Sequence, residues 1–175
     1  MSSFVCEKDK DIEYFLHEKA IEFEELSKAR TYLICNEEEL ISGNKNDQLK
    51  IYGYVSIALK VLSVPETLSN RKRKEIDGLS AKIHGTQITD FPCYLIGQLS
   101  KNSNIENNEI TGKELIDIAL SIIAASVEAV GGRYVMIECR ENEKLLKYYE
   151  NNFFHEIARI PDNEQPMIQM IRKIV

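Results

Sequence analysis

The sequence predicts a mixed α+β fold: a mostly antiparallel sheet carrying one parallel βαβ unit, in a single domain spanning residues 1–175. Three observations carry this. The chain is 175 residues long, 43% hydrophobic and 29% charged, the make-up of one globular domain able to bury a substantial core. Its early and late apolar runs are short, β-branched and joined by polar connections, as hairpins require. In between, one long apolar helix pattern separates two continuous apolar runs, Cys93–Leu99 and Tyr134–Cys139. A strand–helix–strand unit of that kind closes as a right-handed crossover and makes its two strands parallel neighbours.

Taken in order, residues 11–29 place Ile12, Phe15, Leu16, Ile21, Phe23 and Leu26 on a helical face, with Asp9 or Asp11 as the N-cap. Arg30–Cys35 (RTYLIC) reads as a strand, residues 36–48 as a polar loop, and Lys50–Leu62 (KIYGYVSIALKVL) as a second strand forming a hairpin with the first. Residues 63–90 are broken by Pro65, Gly78 and Gly85, with one short helix expected over Glu66–Glu75. Cys93–Leu99 reads as a central strand covered on both faces. Leu115, Ile116, Ile118, Ala119, Ile122, Ile123 and Val127 outline the long helix, closed by Gly131-Gly132. Tyr134–Cys139 is the next buried strand and 142–150 a short helix, while 154–160 and 165–174 read as a closing strand pair.

Composition excludes several function classes. No apolar run approaches a membrane span, and MSSFVCEKDKD turns charged too soon for a secretory signal, so a cytoplasmic location is expected. Cys6, Cys35, Cys93 and Cys139 are scattered without a CxxC pair or a histidine at ligand spacing; free thiols are expected and no metal. The net charge is −6, and residues 1–40 carry all of it, with 11 acids against 5 bases. The rest of the chain balances, which is not the signature of a uniformly basic nucleic-acid binder. The run Arg71–Lys74 (RKRK) reads as a solvated loop or helix start before it reads as a phosphate site.

The stretch ENEKLLKYYENNFF, Glu141 to Phe154, asks for a reason beyond packing to place two tyrosines and then two phenylalanines at a helix end. Its Asn142, Leu145, Tyr148-Tyr149 and Phe153-Phe154 stand at the spacing of a motif of the GNAT superfamily of acetyl-coenzyme A-dependent N-acetyltransferases, which this chain resembles. Phe153 occupies the position where that family usually has glycine. LIGQLSKN (Leu95 to Asn102) resembles the family's fourth strand, and NNEITGKEL resembles its pyrophosphate loop, with only Gly112 matching there and Glu109 bringing negative charge. Residues 14–35 and IYGYVSIAL resemble the subgroup that contains the acetyltransferase toxins of toxin–antitoxin pairs, which modify aminoacyl-tRNA, and relatives without assigned substrates.

The resemblance implies a GNAT-like fold with splayed fourth and fifth strands and helices on both faces. It implies acetyl-CoA as cosubstrate, its amide arm on the backbone of Leu99, Ser100 and Lys101, its pyrophosphate at Gly112 and Lys113, and Asn142 as a contact or a helix cap. Tyr149 is implied as proton donor to the leaving thiolate: an unperturbed phenol, with pKa about 10, is protonated at neutral pH. Glu138 is the candidate base, and Arg30 and Tyr54 are candidate substrate contacts; for both, an ion pair or a core position is the alternative reading.

The expected reaction is acetyl transfer to a primary amine by direct attack in a ternary complex, with a small-molecule or protein amine favoured by the charge balance. Two alternatives stay open: a toxin-type acetyltransferase of aminoacyl-tRNA, and a non-catalytic acyl-CoA-binding or regulatory module. A homodimer is compatible with each, and an antitoxin partner is left open by the sequence.

Overall fold

The computed structural model describes residues 3–37, 41, 49–161 and 166–174. Six strands form one sheet in the order β1-β2-β5-β6-β8-β7, and two more form a small separate ladder. They are β1 Arg30–Cys35, β2 Ile51–Ser63, β3 Lys82–Ile83, β4 Thr86–Gln87, β5 Asp90–Lys101, β6 Tyr134–Arg140, β7 His155–Ile160 and β8 Met167–Lys173. The helices are α1 Lys10–Tyr14, continued by a π-helical turn at Phe15–Lys19 and by α2 Ala20–Glu25, then α3 Asn70–Asp77, α4 Gly112–Val130 and α5 Glu143–Asn151.

β1 and β2 are antiparallel, as are β6 with β8 and β7 with β8. β5 and β6, joined by α4, are the parallel pair that the crossover argument required. In that pair Tyr94 stands opposite Val135 and Leu95 opposite Met136. Most of the polar connection read over 36–48 lies outside the described residues, as does Gln165 at the start of the closing strand pair.

The chain divides into two compact units. The first comprises Met1–Ala58 and Ile96–Ile123. Its core is Phe4, Cys6, Leu16, Ala20, Ile51 and Tyr54, with the Phe4 and Tyr54 rings edge to face at 5.2 Å. Asp9 caps α1 by accepting the Asp11 N–H at 2.9 Å. Gly53 lets β2 and β5 approach closely: a Cβ there would lie 3.0 Å from the Ser100 carbonyl oxygen and 3.1 Å from a Leu115 methyl.

The second unit comprises Leu59–Leu95 and Ala124–Val175. Its core is Leu62, Val64, Ile76, Phe91, Cys93, Tyr134, Met136 and Ile171. The return from α4 to β6 is pinned by Tyr94, whose hydroxyl donates to Gly131 O at 2.8 Å. Its ring leaves no room for a side chain on Gly132, where a Cβ would sit 2.5 Å from a ring carbon. The expected helix at 66–75 instead starts at Asn70, because Ser69 accepts the Lys72 N–H and supplies the cap.

RKRK is not uniformly solvated: Arg73 is fully buried. Its guanidinium donates to four carbonyls, Leu68 O at 3.1 Å, Pro65 O at 2.7 Å, Glu66 O at 3.0 Å and Ile88 O. Those bonds close the turn before α3 onto the segment that enters β5.

Candidate active site

α5 is built by its ends. Asn142 accepts the Leu145 N–H at 3.1 Å and so serves as the N-cap. At the other end the Phe154 N–H reaches Tyr149 O at 3.0 Å and the Phe153 N–H reaches Glu150 O at 2.9 Å, the bond pair of a Schellman motif. The left-handed residue of that motif is Phe153, with φ 65°. Glycine takes this conformation freely, whereas a side chain pays about 1–2 kcal/mol. Phe153 is nevertheless 69% exposed.

The motif turns the chain so that Phe154 is fully buried and meets the Tyr149 ring edge-on at 5.8 Å. Tyr148 lies against Tyr149 at 5.1 Å. Burial raises the Tyr149 phenol well above its ordinary value, and the neighbouring Cys139 and Tyr148 push the same way. The group is therefore a firmly protonated phenol, able to donate and unable to act as a base near neutrality.

Glu138 stands directly opposite Gln169 on the β6–β8 ladder. One carboxylate oxygen receives the Gln169 amide at 2.9 Å and the other the Lys60 ammonium at 2.5 Å. The side chain is 19% exposed. Neither Lys60 nor Gln169 was singled out by the sequence; the β6–β8 register brings Gln169 opposite Glu138, and Lys60 reaches it from β2.

On β5, Leu99 and Ser100 are half-buried and Lys101 exposed. The Ser100 hydroxyl donates to the Cys6 sulfur at 3.3 Å, and the Lys101 ammonium reaches Asn108 O at 3.3 Å. The loop that follows is anchored by two amides. Asn102 donates to Ile51 O at 2.8 Å and accepts from the Val5 and Asn104 N–H groups, both at 3.0 Å. Asn108 donates to Tyr52 O at 2.8 Å.

Gly112 opens α4 behind a reciprocal capping box. Thr111 Oγ1 accepts the Glu114 N–H at 3.2 Å, while the Glu114 carboxylate takes the Thr111 N–H at 2.7 Å. The Thr111 N–H and the Thr111 hydroxyl, both donating to it, hold the Glu114 carboxyl below its usual range. The pattern Thr-x-x-Glu at 111–114 was there to be read, since it is the sequence signature of such a cap. Lys113 pairs with Asp117 at 2.5 Å.

The two substrate candidates have local partners. Arg30 donates to Glu24 O and pairs with its carboxylate, both at 2.9 Å, which closes the turn between α2 and β1. Tyr54 is fully buried and donates to Ile12 O at 2.6 Å. Among the described residues no group of three or more His, Cys, Asp or Glu is placed to hold a metal ion, and no helix is long and apolar enough to cross a membrane.

The strand order, the parallel β5–β6 pair and the crossover helix make a GNAT-like fold. No family model and no curated protein matches the sequence. The likeness is to solved structures. A tyrosine-to-phenylalanine variant of KacT superposes with a TM-score of 0.67 at 16% identity, covering 96% of this chain and 85% of that one. AtaT in complex with acetyl-methionyl-tRNAfMet gives 0.66 at 17% identity, over 95% and 85%. A tyrosine-to-phenylalanine variant of the AtaT toxin, bound to acetyl-CoA and the C-terminus of the antitoxin AtaR, gives 0.62 at 15% identity, over 98% and 83%.

Proposed function

We propose that this chain is an acetyl-CoA-dependent N-acetyltransferase whose acceptor is the amino group of an aminoacyl-tRNA. The observation that carries the reading is fold likeness over nearly the whole chain to a toxin captured with acetyl-methionyl-tRNA and, separately, with acetyl-CoA. A half-buried, firmly protonated Tyr149 supports it from this chain's own residues. The acceptor suggested by charge balance, a small-molecule or protein amine, has less behind it: the acidic excess belongs to residues 1–40, and the mean charge says little about one face.

In the proposed reaction the neutral amine attacks the thioester carbonyl, the C–N bond forms, and the C–S bond breaks. Coenzyme A leaves as the thiolate and takes the Tyr149 phenol proton; Glu138 receives the amine proton, directly or through water. Lys60 and Gln169 hold that carboxylate in place. The backbone of Leu99–Lys101 offers strand-like hydrogen bonds to the pantetheine amides. Gly112, Lys113 and Asn142 are the proposed contacts on the nucleotide side. Holding both reactants supplies much of the rate.

A second reading, a non-catalytic GNAT-like acyl-CoA-binding or regulatory module, is favoured by one observation. The start of α4 already carries the Glu114 carboxylate, where an anionic pyrophosphate would otherwise find free N–H groups. Calorimetry with acetyl-CoA followed by transfer of labelled acetyl onto aminoacylated tRNA tests both. Binding and transfer are expected. Failure to bind acetyl-CoA at millimolar concentration would leave the module; binding with transfer only to small amines would remove the tRNA acceptor.

A further inference from the structure

We infer that the second unit carries a separate nucleotide-binding pocket, in which Phe153 stacks a nucleobase while Arg172 and Lys173 hold its phosphate. The pocket, of about 330 Å³, is lined by Phe153, Arg172 and Lys173 together with Lys72, Tyr134 and His155, and by the carboxylates of Glu75 and Glu156. That volume is at the small end of ligand pockets.

Phe153 is the first reason. It occupies the left-handed position of a Schellman motif, where a side chain is strained, yet its ring is mostly exposed. Core packing cannot account for a strained aromatic presented to solvent. The Arg172 guanidinium lies over the ring at 5.5 Å and also donates to Asn152 O at 3.0 Å, which fixes both groups before any ligand arrives.

Charge is the second reason. Both acids of the pocket are already paired, Glu75 with Lys72 at 2.8 Å and Glu156 with Arg159 at 2.7 Å. Among the described residues neither Arg172 nor Lys173 has a carboxylate at ion-pair distance. Two cations without a carboxylate partner, lining one pocket with an exposed aromatic ring, are what a base with a phosphate requires; stacking tolerates any base, and the arginine fork suits a phosphate. The source is either a free nucleotide or a single strand of RNA. The inference goes beyond the acetyl-transfer reading and does not depend on it.

The test uses the full chain, a fluorescent single-stranded oligoadenylate about ten nucleotides long, and AMP as competitor, read by polarisation. Binding is expected, weakening as salt rises. Phe153→Gly, which relieves the strain, should keep or raise Tm while weakening the oligonucleotide about tenfold. Lys173→Gln should weaken it severalfold and flatten the salt slope by about 0.7. Both variants should keep the wild-type acetyl-CoA affinity, so loss of the acetyl-transfer reading leaves this assay intact. Displacement by AMP assigns a free nucleotide; oligonucleotide binding that AMP does not displace assigns an RNA strand. Absence of binding by both probes overturns the inference. So does Phe153→Gly binding like wild type, or a glutamate homopolymer competing as well as the RNA.

Discussion

Tyr149 and Phe154 meet edge to face at 5.8 Å, and that contact is the hydrophobic clasp of the motif ending α5. The tyrosine ring thus has a structural duty separable from its hydroxyl. Tyr149→Phe keeps the ring and should cost less than about 1.5 kcal/mol of stability. The acetyl-transfer rate should fall about a hundredfold or more with acetyl-CoA affinity unchanged. An unchanged kcat would remove the donor role and leave the clasp. Because the phenol is raised above its ordinary value, the alkaline limb of the rate profile should show no tyrosine ionisation below about pH 10.

Glu138 is held by Lys60 and Gln169. Glu138→Gln removes one half-exposed ion pair, which is worth less than about 1 kcal/mol. If Glu138 takes the amine proton, kcat/KM should drop about a hundredfold. A wild-type kcat/KM would reduce the residue to a counter-ion for Lys60.

Glu114 accepts the Thr111 N–H at the start of α4, the proposed place of the pyrophosphate. Glu114→Gln removes a negative charge there and keeps the ability to cap. Acetyl-CoA should bind severalfold tighter, read by calorimetry. Weaker binding would mean that the carboxylate helps to shape the loop and does not compete with the ligand.

Arg73 ties four carbonyls together from a fully buried position. Arg73→Met fills similar space and strands those oxygens, so a denaturant melt should lose about 3 kcal/mol or more. A loss below about 1 kcal/mol would show that water reaches the turn.

The thiols separate by burial. Cys93 and Cys139 are each pushed up to about 11, by burial foremost. At pH 8 both stay protonated, and Cys35, half-buried, should react with a disulfide reagent before them. Their native values lie above the unfolded value of about 8.5, so their stabilising effect is complete below that value and is lost as pH climbs towards 11. Rapid labelling of all four thiols at pH 8 without denaturant would contradict this.

Much of the fold was legible because periodicity and connection length speak directly to pairing. The β1–β2 hairpin, the parallel β5–β6 pair across α4 and the closing β7–β8 pair were each readable that way. What escaped depends on tertiary partners. Arg73 looked solvated within RKRK, since nothing local reveals four converging carbonyls. The small β3–β4 ladder was missed although His84 and Gly85 both have positive φ, the demand of a tight hairpin turn. The π-helical turn at Phe15–Lys19 interrupts a pattern that reads as one regular helix. At the candidate site, the α5 cap and the tyrosine pair stood in the motif, whereas the partners of Glu138 come from β2 and β8 and carry no local mark.

Asn102 has one further bearing, on how the first unit loosens. Its buried amide grips the backbone of Ser3 and Val5 on one side and of Ile51 on the other, and Asn104 joins it at Ser3. Opening of the segment at Ser3 and Val5 and slackening of the stretch before α4 should then be one event, seen as a shared deuterium-uptake rate for the amides of Val5 and Asn104. A fusion partner placed ahead of Ser3 would tug on that stretch from a distance, so reporters are better carried elsewhere.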